Sequence, residues 1–150
     1  MNVIDPNLVK TNFQAANKED CLRKIAQDYK RAEIITDADF FYHKLMEREK
    51  TLSTGIGYGI AIPHLRDESV RQLTIGIYLL DREIEFNSID LKKVRLIVCF
   101  AIPSDSGNRY MKVLQKVSEF FRSESNREST FRCEDKETLL KIFRRLTNEL

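Results

Sequence analysis

At 150 residues, with 25 Lys and Arg against 23 Asp and Glu, the chain is long enough to bury one core without disulfides or metals and carries a net charge of +2. Charges of both signs are scattered along it, which excludes the clustered basic surface of a nucleic-acid binder. Cys21, Cys99 and Cys133 stand far apart with no zinc or redox spacing, so they read as free thiols of a reducing compartment. The N-terminus lacks a basic region followed by an apolar one, and no apolar run reaches membrane-spanning length. The expectation is a soluble, cytoplasmic protein with no membrane insertion.

Taken in order, residues 1–16 read as a loose lead-in, with Ile4, Leu8, Val9 and Phe13 tucked against the core. Asn17, with Asp20 three residues on, marks a helix start, and Leu22, Ile25, Ala26 and Tyr29 recur at helical spacing as one buried stripe. After a short connection, Thr36 is placed to cap a second helix over roughly Asp37 to Glu49, with Phe41 and Leu45 on one face. Arg48 falls on the same stripe, where an unpaired cation is unusual. Two readings stand: Arg48 snorkels or pairs with Glu47 or Glu49, or it is held ready for an anion. His43 lies roughly 160° around the helix from Leu45 and reads as exposed.

Three of the chain's glycines, Gly55, Gly57 and Gly59, then alternate ahead of Ile60-Ala61-Ile62, Pro63 and His64. A glycine-shaped turn leads into a buried strand, and Pro63, with its fixed φ, aims one imidazole. The stretch is either a β-hairpin that happens to end in histidine or a functional site. It is neither a P-loop, since no Gly-Lys-Ser/Thr follows, nor a dinucleotide fingerprint, since Pro63 blocks the helix that should come next.

Arg66-Asp67-Glu68-Ser69 reads as a loop. Leu73, Ile75, Ile77 and Leu79 alternate with Thr74, Gly76 and Tyr78, which predicts a strand with one strongly apolar face. Ile84-Glu85-Phe86 is a short strand or edge, and Asp90 is taken mainly as a turn residue. Val94 to Ile102 is apolar apart from Arg95, as a central strand buried on both faces should be, and Pro103 ends it. A turn over Ser104 to Gly107 leads to a helix with Tyr110, Val113, Leu114, Val117 and Phe121 on one face. A short helix with Phe131 follows, and a last one, capped at Asp135, buries Leu139, Ile142, Phe143 and Leu146. Such an element order describes an α/β single domain with a mixed sheet flanked by helices on both sides. The chain offers no metal-ligand cluster, and the expectation is that it needs no metal and no cofactor.

Thr54-Gly55-Ile56-Gly57-Tyr58-Gly59-Ile60-Ala61-Ile62-Pro63-His64 resembles the signature of the fructose/mannitol-type EIIA components of the bacterial phosphotransferase system. Phe86 followed by Asp90, and the order Glu47-Arg48-Glu49 ahead of the turn, are similar as well, and the similarity extends over 1–150 as one EIIA type-2 domain. The resemblance implies His64 as the phosphoryl acceptor (a tele-phosphohistidine, though the residues alone leave the nitrogen open). It implies Arg48 as the phosphate contact, with Thr54, Gly55, Gly57, Gly59, Pro63 and Tyr110 in support. Tyr110 stands where family members commonly carry a second histidine, so its phenol brings no positive charge; otherwise it is a core-face aromatic with its hydroxyl at the rim. The implied partners are an HPr-like phosphocarrier and either a regulated protein or an EIIB. A stand-alone chain of this length looks most like the nitrogen-regulatory subgroup. The alternatives are a sugar-specific EIIA and a binding module in which Tyr110 has weakened transfer.

Overall fold

The apolar run ending at Pro103 is the strand on which the sheet is built. A computed structural model of the protein describes residues 3–148. Its strands are β1 (Ile4–Phe13), β2 (Gly55–Gly57), β3 (Ile60–Ala61), β4 (His64–Asp67), β5 (Thr74–Ile84) and β6 (Val94–Pro103). The sheet runs β1-β5-β6-β3-β2, with β4 also paired to β6. β6 is antiparallel to β5 and parallel to both β3 and β4, so the sheet is mixed. With neighbours on both edges and layers on both faces, β6 must be apolar throughout. Its one charged residue, Arg95, donates from Nε to the Leu80 carbonyl at 2.5 Å.

Helices α1 (Lys18–Arg31) and α2 (Ala38–Thr51) cover one face, and α3 (Arg109–Phe120) and α5 (Lys136–Thr147) the other, with α4 (Glu124–Phe131) between the latter two. The first core joins Leu22, Ile25, Tyr29, Phe41 and Leu45 to Tyr78, Leu80, Ile97 and Cys99. The second joins Val113, Val117, Phe121, Leu139 and Phe143 to Ile75, Ile77, Leu79, Val98 and Phe100. Alternate residues of β5 therefore serve opposite cores, and the face holding Thr74, Gly76 and Tyr78 is buried too. Gly76 is required there. An added Cβ would lie 2.5 Å from Tyr29 Oη, which donates to the Cys99 carbonyl at 2.6 Å.

Three expectations need correction. The lead-in is an edge strand, β1; its pairing with β5 slips between Ile4 and Val9 and again between Lys10 and Phe13, which destroys the two-residue alternation that would have marked it. The second helix is capped by Asp37, whose Oδ1 accepts from the Phe40 amide at 3.1 Å, and not by Thr36. Arg66 and Asp67 belong to a strand, β4, because their backbone pairs with Ile102 and Pro103 of β6 although their side chains are polar.

Candidate functional site

β2 and β3 form an antiparallel hairpin whose turn holds Tyr58 at φ +61° and Gly59 at φ +80°. Two successive positive φ values suit a primed hairpin turn, which explains Gly59 but puts Tyr58 under strain. Asp90 holds the turn: its Oδ2 accepts from the Tyr58 amide and its Oδ1 from the Lys92 amide, both at 3.0 Å. These bonds, the one from Lys92 foremost and that from Tyr58 next, lower the Asp90 pKa. Asp90 thus makes its own turn, as expected, and also ties the hairpin to the loop before β6. Gly55 answers a different need, since a Cβ there would sit 2.9 Å from the Ser88 Cα.

The hairpin delivers the chain to Pro63, whose carbonyl accepts from the Phe100 amide at 2.8 Å, and then to His64 at the start of β4. His64 is half-buried. Its Nδ1 lies 2.9 Å from the Ile62 carbonyl oxygen. A carbonyl can only accept, so that bond requires the proton on Nδ1 and leaves the lone pair on Nε2. An imidazole so held can act as a nucleophile only through Nε2.

Arg48 lies in the last turn of α2, which packs against β4. The half-exposed guanidinium donates from Nη1 to the Leu52 carbonyl at 3.0 Å. Among the described residues it has no carboxylate partner. The nearby carboxylate of Glu49 is occupied elsewhere: it pairs with Lys18 at 2.8 Å and accepts from the amide and hydroxyl of Thr54. Helical geometry explains the exchange, because Phe41, Leu45 and Glu49 are each four residues apart and point into the first core.

Arg66 is two residues beyond His64, on the same face of β4. Its Nε and Nη2 donate to the Ser104 carbonyl at 3.2 and 2.8 Å, and Nη1 to that of Gly107 at 3.1 Å. This clamps the loop between β6 and α3 to β4. Tyr110, half-buried in the first turn of α3, has its ring centroid 5.8 Å from the Arg66 Cζ. His43 is exposed, as its helical position predicts.

Residues 2–146 match the model of the family described as phosphoenolpyruvate-dependent sugar phosphotransferase system, EIIA 2. The chain belongs to that family. This EIIA is 27% identical over 132 residues to the fructose-specific EIIA component of Haloferax volcanii, covering 88% of this chain and 86% of that one. It is 28% identical over 116 residues to a nitrogen regulatory protein of Pseudomonas aeruginosa, covering 77% and 75%. The crystal structure of nitrogen regulatory protein IIA-Ntr from Neisseria meningitidis superposes with a TM-score of 0.87 at 26% identity, covering 97% of each chain. By contrast, the chain spans only 22% of the fructose-specific EIIABC component of Bacillus subtilis, which it matches at 24% identity.

Lys18, Glu49 and Arg66 escaped the sequence reading. Arg66 could have been found by continuing the two-residue period from His64, and Glu49 by stepping four residues from Leu45. Lys18 carries no local signal, since its partners are 31 and 68 residues away in the chain.

Proposed function

We propose that this EIIA accepts a phosphoryl group from the phosphohistidine of an HPr-like carrier onto Nε2 of His64 and acts mainly as a phosphorylation-dependent regulator. The observation that carries the reading is the hydrogen bond between His64 Nδ1 and the Ile62 carbonyl, which leaves Nε2 free for in-line attack. The donor's N–P bond breaks as the Nε2–P bond forms, the leaving imidazole regaining its lone pair. Arg48, unpaired with any described carboxylate, is assigned to the phosphoryl oxygens, which its planar fork matches. Thr54, Gly55, Gly57, Gly59 and Pro63 shape the hairpin that presents His64. Tyr110 supplies a neutral phenol where the resemblance implies a second histidine, and so weaker retention of the phosphoryl group. The regulatory reading is supported by the likeness to nitrogen regulatory proteins, over 97% of the chain in one case and 77% in the other.

A second reading, passage of the group to a separate EIIB for sugar uptake, is favoured by the likeness to a fructose-specific EIIA component over 88% of the chain. Intact-mass measurement after incubation with phosphoenolpyruvate, enzyme I and an HPr-type carrier tests the shared step. An acid-labile gain of one phosphoryl group, absent in His64→Ala, is expected. No gain in the folded protein with several carriers would leave a non-catalytic binding module.

A further inference from the structure

We infer that Glu49 is a positioning residue for His64, acting through Thr54 and Ile62; the inference rests on the reading of His64 as the phosphoryl acceptor. The Glu49 side chain is 2% exposed and that of Lys18 is 9% exposed, and their charged atoms are 2.8 Å apart. Lys18 Nζ also donates to the Phe86 carbonyl at 3.2 Å and lies 4.5 Å from the Phe86 ring centroid. So held, Glu49 turns both oxygens on one residue: Oε1 accepts from the Thr54 amide at 3.0 Å and Oε2 from the Thr54 hydroxyl at 2.5 Å. The Thr54 carbonyl then accepts from the Ile62 amide at 2.9 Å, and the Ile62 carbonyl faces His64 Nδ1 at 2.9 Å.

Each link passes through a planar peptide unit or a side chain with no slack. Thr54 cannot swing away, because Gly55 is pressed against Ser88 and the Ser53 hydroxyl donates to the Phe86 carbonyl at 2.6 Å. Beyond Ile62, the fixed φ of Pro63 and its bond to Phe100 hold the carbonyl's direction. A buried ion pair is weak evidence for stability, since desolvation offsets most of its attraction, and its better-attested use is to specify one arrangement. Here the arrangement specified is the tautomer and aim of the nucleophile. Lys18 opens α1 and Glu49 lies in the last turn of α2, so the site inherits its alignment from the packing of both helices.

The test is Glu49→Gln in the full chain, read in two ways. Imidazole nitrogen shifts of unphosphorylated His64 by NMR report the tautomer, with no phosphotransfer involved. Steady-state transfer from the phosphorylated carrier reports kcat and KM separately. The proton is expected to leave Nδ1 for Nε2 in a measurable fraction of molecules. In parallel kcat should fall by about tenfold or more with KM nearly unchanged, as a misaimed nucleophile requires. Should Glu49→Gln not fold, Thr54→Val, which removes only the hydroxyl arm, decides by the same readouts with a smaller loss. A folded variant with His64 still protonated on Nδ1 and an unchanged kcat overturns the inference. If wild-type protein accepts no phosphoryl group, the acceptor reading fails, while the tautomer shift still decides whether Glu49 orients the ring.

Discussion

In the proposed transfer, one hydrogen bond of His64 chooses the attacking nitrogen, and Arg48 stands out as a cation with no carboxylate partner among the described residues. Because the Ile62 carbonyl accepts from Nδ1–H, the proposed attack falls to Nε2. Because Glu49 is bound to Lys18 and Thr54, it does not neutralise Arg48. Arg48→Ala is expected to slow phosphoryl acceptance by about 10²-fold, the scale on which one stabilising donor acts. Its thermal midpoint should stay close to wild type, since the side chain is half-exposed and, among the described residues, bonds only the Leu52 carbonyl. Loss of the folded state in that variant would make Arg48 structural. At Tyr110 the comparison runs the other way. Tyr110→His brings a group that can be cationic into the first turn of α3, and it should lengthen the lifetime of the phosphorylated protein, as followed by intact mass over time. An unchanged lifetime would leave Tyr110 as a packing residue.

At the scale of elements, the hairpin, the loop before β6 and the layer contacts decide whether the site is presented. Asp90 joins hairpin to loop through the amides of Lys92 and Tyr58, and its pKa is lowered by those bonds. A depressed carboxylate contributes stability that is complete above its unfolded value of about 3.9 and is lost as pH falls through the lower folded value. Urea midpoints should therefore drop less between pH 6 and pH 2.5 in Asp90→Asn than in wild type. Equal drops would remove Asp90 from the acid response. Between layers, the close contact is at Gly76. Gly76→Ala drives a methyl against a Tyr29 ring that cannot retreat without losing its bond to the Cys99 carbonyl. Destabilisation of about 1–3 kcal/mol is expected by urea unfolding, the range for overpacking a full core. A loss within ~0.5 kcal/mol, the range of a neutral surface change, would show that the layers have room to part.

Across the whole molecule, the sheet separates two apolar cores, and this governs the thiols. Cys21 and Cys99 lie in the first core, where burial pushes each thiol up to about 12. Burial also raises Cys133, in the second core. The thiolate is the reactive form, so no rapid labelling by a disulfide reagent at pH 8 is expected until the protein is unfolded. Fast labelling of Cys99 in the native state would contradict the central, doubly covered place of β6. Among the described residues, no helix is long and apolar enough to cross a membrane.

Elements whose signals are local were legible from the residues alone. Helical stripes at Leu22, Ile25, Ala26 and Tyr29, caps at Asn17 and Asp135, the apolar run into Pro103 and the glycine turn before His64 all report on neighbours within a few residues, and the structure holds each of them. Features that depend on distant pairing came from the folded arrangement. β1 needed β5 to become a strand despite its slips, and polar β4 needed β6. Glu49 rather than Arg48 is the buried charge, because Lys18 comes from another helix to meet it. Periodicity tells which face of an element is covered, but it carries no information about which residue of a remote element covers it; the line from Lys18 to His64 is made of such meetings.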